Sequence, residues 1–120
     1  MNFHEYQLAA IRTAKVFGDL PTDLTHVALG IATEGGEFTT VVKRAAIYDK
    51  PVGAQEIHHM VEELGDLLWY IALAAEHLSV PLNRIAEGNI EKLRARFPQS
   101  YSNEAAEQRA DKGGLTARES

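Results

Sequence analysis

The sequence predicts an all-α fold, a bundle of four main helices, and three observations carry that prediction. Apolar residues recur at spacings of three and four over long stretches. No segment shows strand-like alternation of any length. Turn formers separate the periodic stretches: Gly18, "DLPTD" (19–23), "DKPVG" (49–53) and Pro98.

The first helix is expected from about Phe3 to Phe17, with Phe3, Tyr6, Ala10, Thr13 and Phe17 on one face and Gly18 ending it. Thr22 or Asp23 is the expected N-cap of the second, which continues to about Tyr48. The third runs from about Ala54 to Leu78. Its residues Ile57, Val61, Leu64, Leu68, Ile71, Ala75 and Leu78 alternate spacings of four and three, one seam expected to fill the core. Ser79 is the expected cap of the fourth helix. Pro81 sits in its first turn, where no N–H partner is needed, and the helix reaches about Phe97. Residues 99–120 are polar, carry Gly113-Gly114, and read as a surface arm fraying into disorder.

The chain is 120 residues long, which suits one domain. A net charge of -5, with no basic cluster beyond Lys43-Arg44, argues against duplex nucleic acid as a partner, because such binding depends on neutralising phosphates. The absence of cysteine excludes disulfides and thiolate metal sites. The start, "MNFHEYQ", has neither the basic residues nor the apolar run of a signal peptide. The longest apolar run, "LLWYIALAA" (67–75), is too short to span a bilayer. A soluble, cytoplasmic protein with no membrane partner is expected. The third helix is apolar nearly all round between Leu67 and Ala75, with Trp69 and Leu73 opposite the seam. A helix of that kind must be covered on every side, so a homodimer or homotetramer is expected.

Four carboxylates carry the chemistry. Val27, Ile31, Phe38, Val41 and Ala45 form the apolar stripe of the second helix. Glu34 lies in the middle of it and Glu37 close beside. Glu63 and Asp66 flank the seam of the third helix, again three residues apart, while Glu62 points to solvent. Twelve glutamates in 120 residues make one E-x-x-E pair an expected accident, so the weight rests on two acidic pairs on two long helices. Carboxylates gathered beside apolar stripes must be protonated, paired with bases or holding cations. Few bases share these faces, and oxygen-only ligands suit a hard ion, Mg²⁺ or Mn²⁺. Gly35 and Gly36 each cost the helix about 1 kcal/mol relative to alanine, and they leave room for a backbone or ligand to approach the acids. On the fourth helix Asn89, Lys92 and Arg96 share a face suited to a polyphosphate, though cations near a helix end commonly just snorkel into solvent.

The residues "EGGE" (34–37) followed by "ELGD" (63–66) resemble the E-x-x-E…E-x-x-D signature of the MazG-like all-α nucleoside triphosphate pyrophosphohydrolases. "EELGDLLWYIALAAEHLSVPLNRIAEGNIEKLRARFP" (62–98) is similar to the second half of that family. "HEYQLAAIRTA" (4–14) and "SNEAAEQR" (102–109) resemble the flanks of its short, phage-type members. The resemblance implies an oligomeric helical catalytic domain over residues 1–98. It implies Mg²⁺, with Mn²⁺ able to substitute, held by Glu34, Glu37, Glu63 and Asp66. Asn89 and Lys92 match the family's N-x-x-K, and Lys43 matches a common family lysine, although a straight helix points it away from Glu34. Thr33 departs from the pattern, since many members carry an extra acid there. The implied reaction is hydrolysis between the α- and β-phosphates of a nucleoside triphosphate to a monophosphate and pyrophosphate. Glu34 or Glu37 would take the proton of the attacking water. Tyr6 and Thr13, with Phe17, are candidates for reading the base. Broad specificity, a dGTP preference like that of the MazZ subgroup, and a dUTP or dCTP preference all fit the resemblance, and a phage-encoded member would work in the host cytoplasm.

Two readings of other classes compete. Glu56-Ile-His-His59 contains one E-x-x-H, the ligand pair of di-iron bundles, but such a site needs two of these and two further glutamates. A non-catalytic helical adaptor is the other, against which stands the presence of all four acids.

Overall fold

The computed structural model describes residues 1–109. Five helices and no strand are found among them: α1 (Phe3–Ile11), α2 (Leu20–Ile47), α3 (Ala54–His77), α4 (Leu82–Arg96) and α5 (Asn103–Gln108). The described residues separate into two compact units, Met1–Leu82 and the segment that begins at Asn83.

The first unit is built on the α2–α3 hairpin, with α1 laid against α3. Asn2 caps α1, its side chain accepting the Glu5 N–H at 2.8 Å. The helix then stops six residues short of the expected Phe17. Thr13 turns its hydroxyl back to the Ala10 carbonyl at 2.8 Å, and the Phe17 N–H is drawn to the buried carboxylate of Asp23 at 2.9 Å. Residues 14–17 are thus tied to the start of α2, and Gly18 makes the corner with φ of 96°. The cap of α2 is Asp19, which accepts the Thr22 N–H at 2.9 Å, and not Thr22 or Asp23. Pro21 occupies the first turn, and Asp23 is committed to Phe17 instead. At the other end of the hairpin the Gly53 N–H donates to Glu56 at 3.1 Å and starts α3.

The core lies at the α1 end of the hairpin. Ala10, Val27, Ala72, Leu73 and Leu82 are buried there, with Tyr6, Leu24, Trp69, Tyr70 and Ile71 packed around them. This corrects the expected seam. Leu73, expected to point outward, is 1% exposed, whereas the seam residues Ile57, Val61 and Leu64 are 51%, 58% and 51% exposed. The physical reason is α1. It packs on α3 around Trp69, Ala72, Leu73 and Glu76, so this stretch is sheltered by α1 as well as by α2, whereas Ile57, Val61 and Leu64 lie outside that contact.

Gln7 locks the closing turn. Its amide nitrogen donates to Glu76 and to the Val80 carbonyl, both at 3.3 Å, and its oxygen accepts the Leu82 N–H at 2.7 Å. Ser79 therefore does not cap α4. It adopts φ of 58° in the turn that ends α3, and Gln7, 75 residues upstream of Leu82, satisfies the N–H that opens α4.

In the second unit α4 continues to Arg96. Beyond it the Phe97 and Tyr101 rings lie 5.2 Å apart. Ser102 caps α5 by accepting the Ala105 N–H at 3.1 Å, so the polar segment after Pro98 contains a short helix. The remainder of the expected arm, 110–120 with Gly113-Gly114, lies outside the described residues.

Candidate metal centre

Glu34 on α2 meets Glu63 and Asp66 on α3, one carboxylate oxygen from each lying within 4.8 Å of the others. The hairpin produces this directly. Residues three apart on one helix share a face, and the antiparallel partner brings the second acidic helix to the same level. Glu34 and Glu63 are half-buried, while Asp66 and Glu37 are exposed. Glu37 lies one turn beyond Glu34, outside that tight group but close enough for its charge to act on Glu34.

Proximity has an electrostatic consequence. Glu34 is raised above the ordinary glutamate range, first by desolvation, then by hydrogen bonding with Glu63 and by the charges of Asp66, Glu63 and Glu37. Within Met1–Leu82 the ion-pair contacts among described residues are His58–Glu62 and His77–Asp23, so no base of this unit pairs with the group. Three carboxylates with no cationic partner in this unit, and with one carboxyl biased toward its proton, suit a hard divalent cation bound through oxygen. The rival E-x-x-H pair is otherwise engaged: Glu56 accepts the Gly53 N–H. Glu34, Glu63 and Asp66 are the group with metal-ligand geometry among the described residues.

An aromatic chain adjoins the acids. His26 and Gly30 precede Glu34 by two turns and one turn on α2, and Tyr70 follows Asp66 by one turn on α3. Phe17 and His26 meet edge to face at 5.3 Å, His26 and Tyr70 at 5.6 Å, and Tyr70 and Trp69 at 4.9 Å. Trp69 donates its indole N–H to the Thr13 hydroxyl at 2.9 Å, which ties the segment after α1 to α3. Tyr6 is raised above the usual phenol range by burial first and by the Asp66 charge second. Tyr6 packs on the core cluster and Thr13 accepts from Trp69, while Phe17 is exposed at the outer end of the aromatic chain with the Lys15 ammonium 5.0 Å from its ring centre.

Within the chain the close approach is at Gly30, and the space beside Gly35 and Gly36 is open. A Cβ at Gly30 would lie 2.1 Å from the Tyr70 ring, whereas at Gly35 or Gly36 it would meet nothing within 4 Å. Gly30, His26, Trp69 and Tyr70 were not legible as a group, since their meeting depends on the register of α2 against α3; the single tryptophan was the one compositional signal. Lys43 is exposed on α2. On α4, Asn89 and Lys92 are exposed, and the half-buried Arg96 lies over the Phe97 ring at 6.0 Å.

Residues 23–101 match the MazG nucleotide pyrophosphohydrolase domain. The Gene 37 protein of Mycobacterium phage L5 is 35% identical over 101 residues, covering 80% of this chain and 89% of its own length. No solved structure matches the chain significantly. No described helix is long and apolar enough to cross a membrane. The matched span contains both acidic pairs and the whole α2–α3 hairpin, and the chain belongs to the MazG nucleotide pyrophosphohydrolase family.

Proposed function

We propose that the protein is a Mg²⁺-dependent nucleoside triphosphate pyrophosphohydrolase that cleaves between the α- and β-phosphates. The observation that carries this reading is the convergence of Glu34, Glu63 and Asp66 on one point of the α2–α3 hairpin where no described base of the first unit pairs with them. These residues, with Glu37 beside them, would hold Mg²⁺, and Mn²⁺ would substitute. Ions bound there supply charge neutralisation at the transferring phosphorus and lower the pKa of a water. The chain's own part is to gather the ligands before substrate arrives and to move a proton. Glu34 or Glu37 accepts the proton of the attacking water. The water oxygen bonds to the α-phosphorus, the bond from that phosphorus to the α–β bridging oxygen breaks, and pyrophosphate leaves with the bonding pair.

Asn89 and Lys92 lie three residues apart on α4 and match the family's N-x-x-K, so we assign them, with Arg96 and Lys43, to phosphate oxygens. Tyr6 and Thr13 are assigned to the nucleoside. The exposed stripe of Ile57, Val61 and Leu64 supports a homodimer or homotetramer as the working form. The test incubates the protein and Mg²⁺ with dATP, dGTP, dCTP, dTTP, dUTP and the ribonucleotides, and resolves the products by chromatography. Monophosphate and pyrophosphate from at least one of them are expected. Diphosphate and orthophosphate would overturn the assigned bond. No turnover with Mg²⁺ or Mn²⁺ would favour a non-catalytic helical adaptor.

A further inference from the structure

The first unit also holds a cavity that is not at the acids. It lies at the tip of the α2–α3 hairpin, has a volume of about 420 Å³, and is lined among others by Arg44, Tyr48, Lys50, Gln55, Glu56 and His59. The first unit has five Lys and Arg residues, at positions 12, 15, 43, 44 and 50, and two of them line this one cavity. Neither Arg44 nor Lys50 forms an ion pair with a described residue of the unit, whose ion-pair contacts are His58–Glu62 and His77–Asp23. The one carboxylate in the lining, Glu56, is turned toward the Gly53 N–H. A cation near the C-terminus of α2 is favourable by itself, which accounts for Arg44 in isolation. It does not account for a cavity whose donors also come from the loop, at Lys50, and from α3, at Gln55 and His59.

Position gives the cavity a meaning. His59 precedes Glu63 by four residues on α3, about 6 Å of helix, and Glu56 precedes it by seven, about 10 Å. Along the same hairpin the aromatic chain of Tyr70, His26 and Phe17 lies beyond the acids in the opposite direction. The hairpin therefore presents, in order, a cationic cavity, an acidic cluster and an aromatic cluster. A nucleoside triphosphate has the matching order: terminal phosphates, the metal-bridged phosphate and the base.

We propose that the Arg44–Lys50–His59 cavity is the subsite for the pyrophosphoryl end of the substrate, holding the β- and γ-phosphates as they become the leaving group. This rests on the hydrolase reading and fixes the direction in which substrate lies along the hairpin. Arg44 and Lys50 would donate to terminal phosphate oxygens, with His59 nearest the acids.

The test uses the full chain, Arg44→Gln and Lys50→Gln, with Arg12→Gln as a control of equal charge change. All three side chains are exposed, and circular dichroism melts establish that each variant folds. Calorimetric titration with inorganic pyrophosphate and Mg²⁺ should show roughly tenfold weaker binding in each cavity variant, the size of one lost charge-assisted hydrogen bond, and no change in Arg12→Gln. Binding of a nucleoside monophosphate should be unchanged in all three. Pyrophosphate should inhibit turnover competitively against the triphosphate. Unchanged pyrophosphate affinity in both cavity variants overturns the subsite while leaving the hydrolase reading intact. Inhibition that is not competitive also overturns it, because it means a separate anion site. Pyrophosphate captured through Arg44 and Lys50 by a protein that hydrolyses no nucleotide would instead defeat the hydrolase reading and keep the cavity as an anion site.

Discussion

Glu34 is where sequence, electrostatics and function meet at the scale of a residue. Its carboxyl is raised because burial and three neighbouring acids oppose its charge. A carboxyl raised in the folded state binds more protons there than in the unfolded chain, so metal-free stability should fall as pH rises from the ordinary glutamate value through the raised one. Divalent metal removes that opposition and competes with the proton. Melting curves should therefore show a Mg²⁺-induced rise in Tm that is larger near pH 7.5 than near pH 5; a rise independent of pH would show that Mg²⁺ is not bound at these acids. Asp66→Asn should lower Mg²⁺-dependent turnover by at least about 100-fold, the upper end of what even an outer-shell partner costs. It should not lower Tm in metal-free buffer, since it removes repulsion. Glu62→Gln is the control: Glu62 is exposed and contacts His58 at 2.8 Å, so turnover should hardly change. Full activity in Asp66→Asn would remove that residue from the site.

At the scale of the element, the glycines of α2 separate two roles that sequence reading merged. All three interrupt a helical pattern, and each should cost propensity. Only Gly30 has a neighbour that forbids a side chain, the Tyr70 ring. Gly30→Ala should be destabilising by about 1–3 kcal/mol, as overpacking is, and should disturb the His26–Tyr70 contact. Gly35→Ala and Gly36→Ala meet open space in the chain, so each should stabilise α2 by up to about 1 kcal/mol in thermal melts. Loss of activity in those variants despite higher Tm would mean that the open space is needed by substrate or by a second chain. The helices themselves were legible because periodicity and punctuation are local. Their ends are less so: Asp19, Thr22 and Asp23 are all residue types that cap helices, and the end of α1 is set by the hydrogen bond from Phe17 to Asp23. The cap that Gln7 provides for Leu82 spans 75 residues and leaves no local trace. The acidic cluster was legible for the opposite reason, since two i,i+3 pairs on two helices need only the hairpin to meet.

For the whole molecule, the case for assembly rests on other residues than the sequence suggests. Leu73 and the stretch around it are covered by α1 and α2, so they demand no partner. The case for a partner rests instead on Ile57, Val61 and Leu64, three large apolar residues more than half exposed on one face of α3. Light scattering should return a dimer or tetramer, and Val61→Glu with Leu64→Glu should shift it toward 13.2 kDa. Wild type that is monomeric from the outset would refute the assembly. The same face lies on the helix that carries Glu63 and Asp66, so a monomeric variant with reduced turnover would tie assembly to catalysis.

The central claim is that the acids of the hairpin direct water onto the α-phosphorus. Hydrolysis in ¹⁸O-labelled water, with Mg²⁺ and whichever triphosphate is turned over, tests it most directly when the products are weighed by mass spectrometry. The label should enter the nucleoside monophosphate and be absent from pyrophosphate. Label in the pyrophosphate would mean attack at the β-phosphorus and would contradict the account.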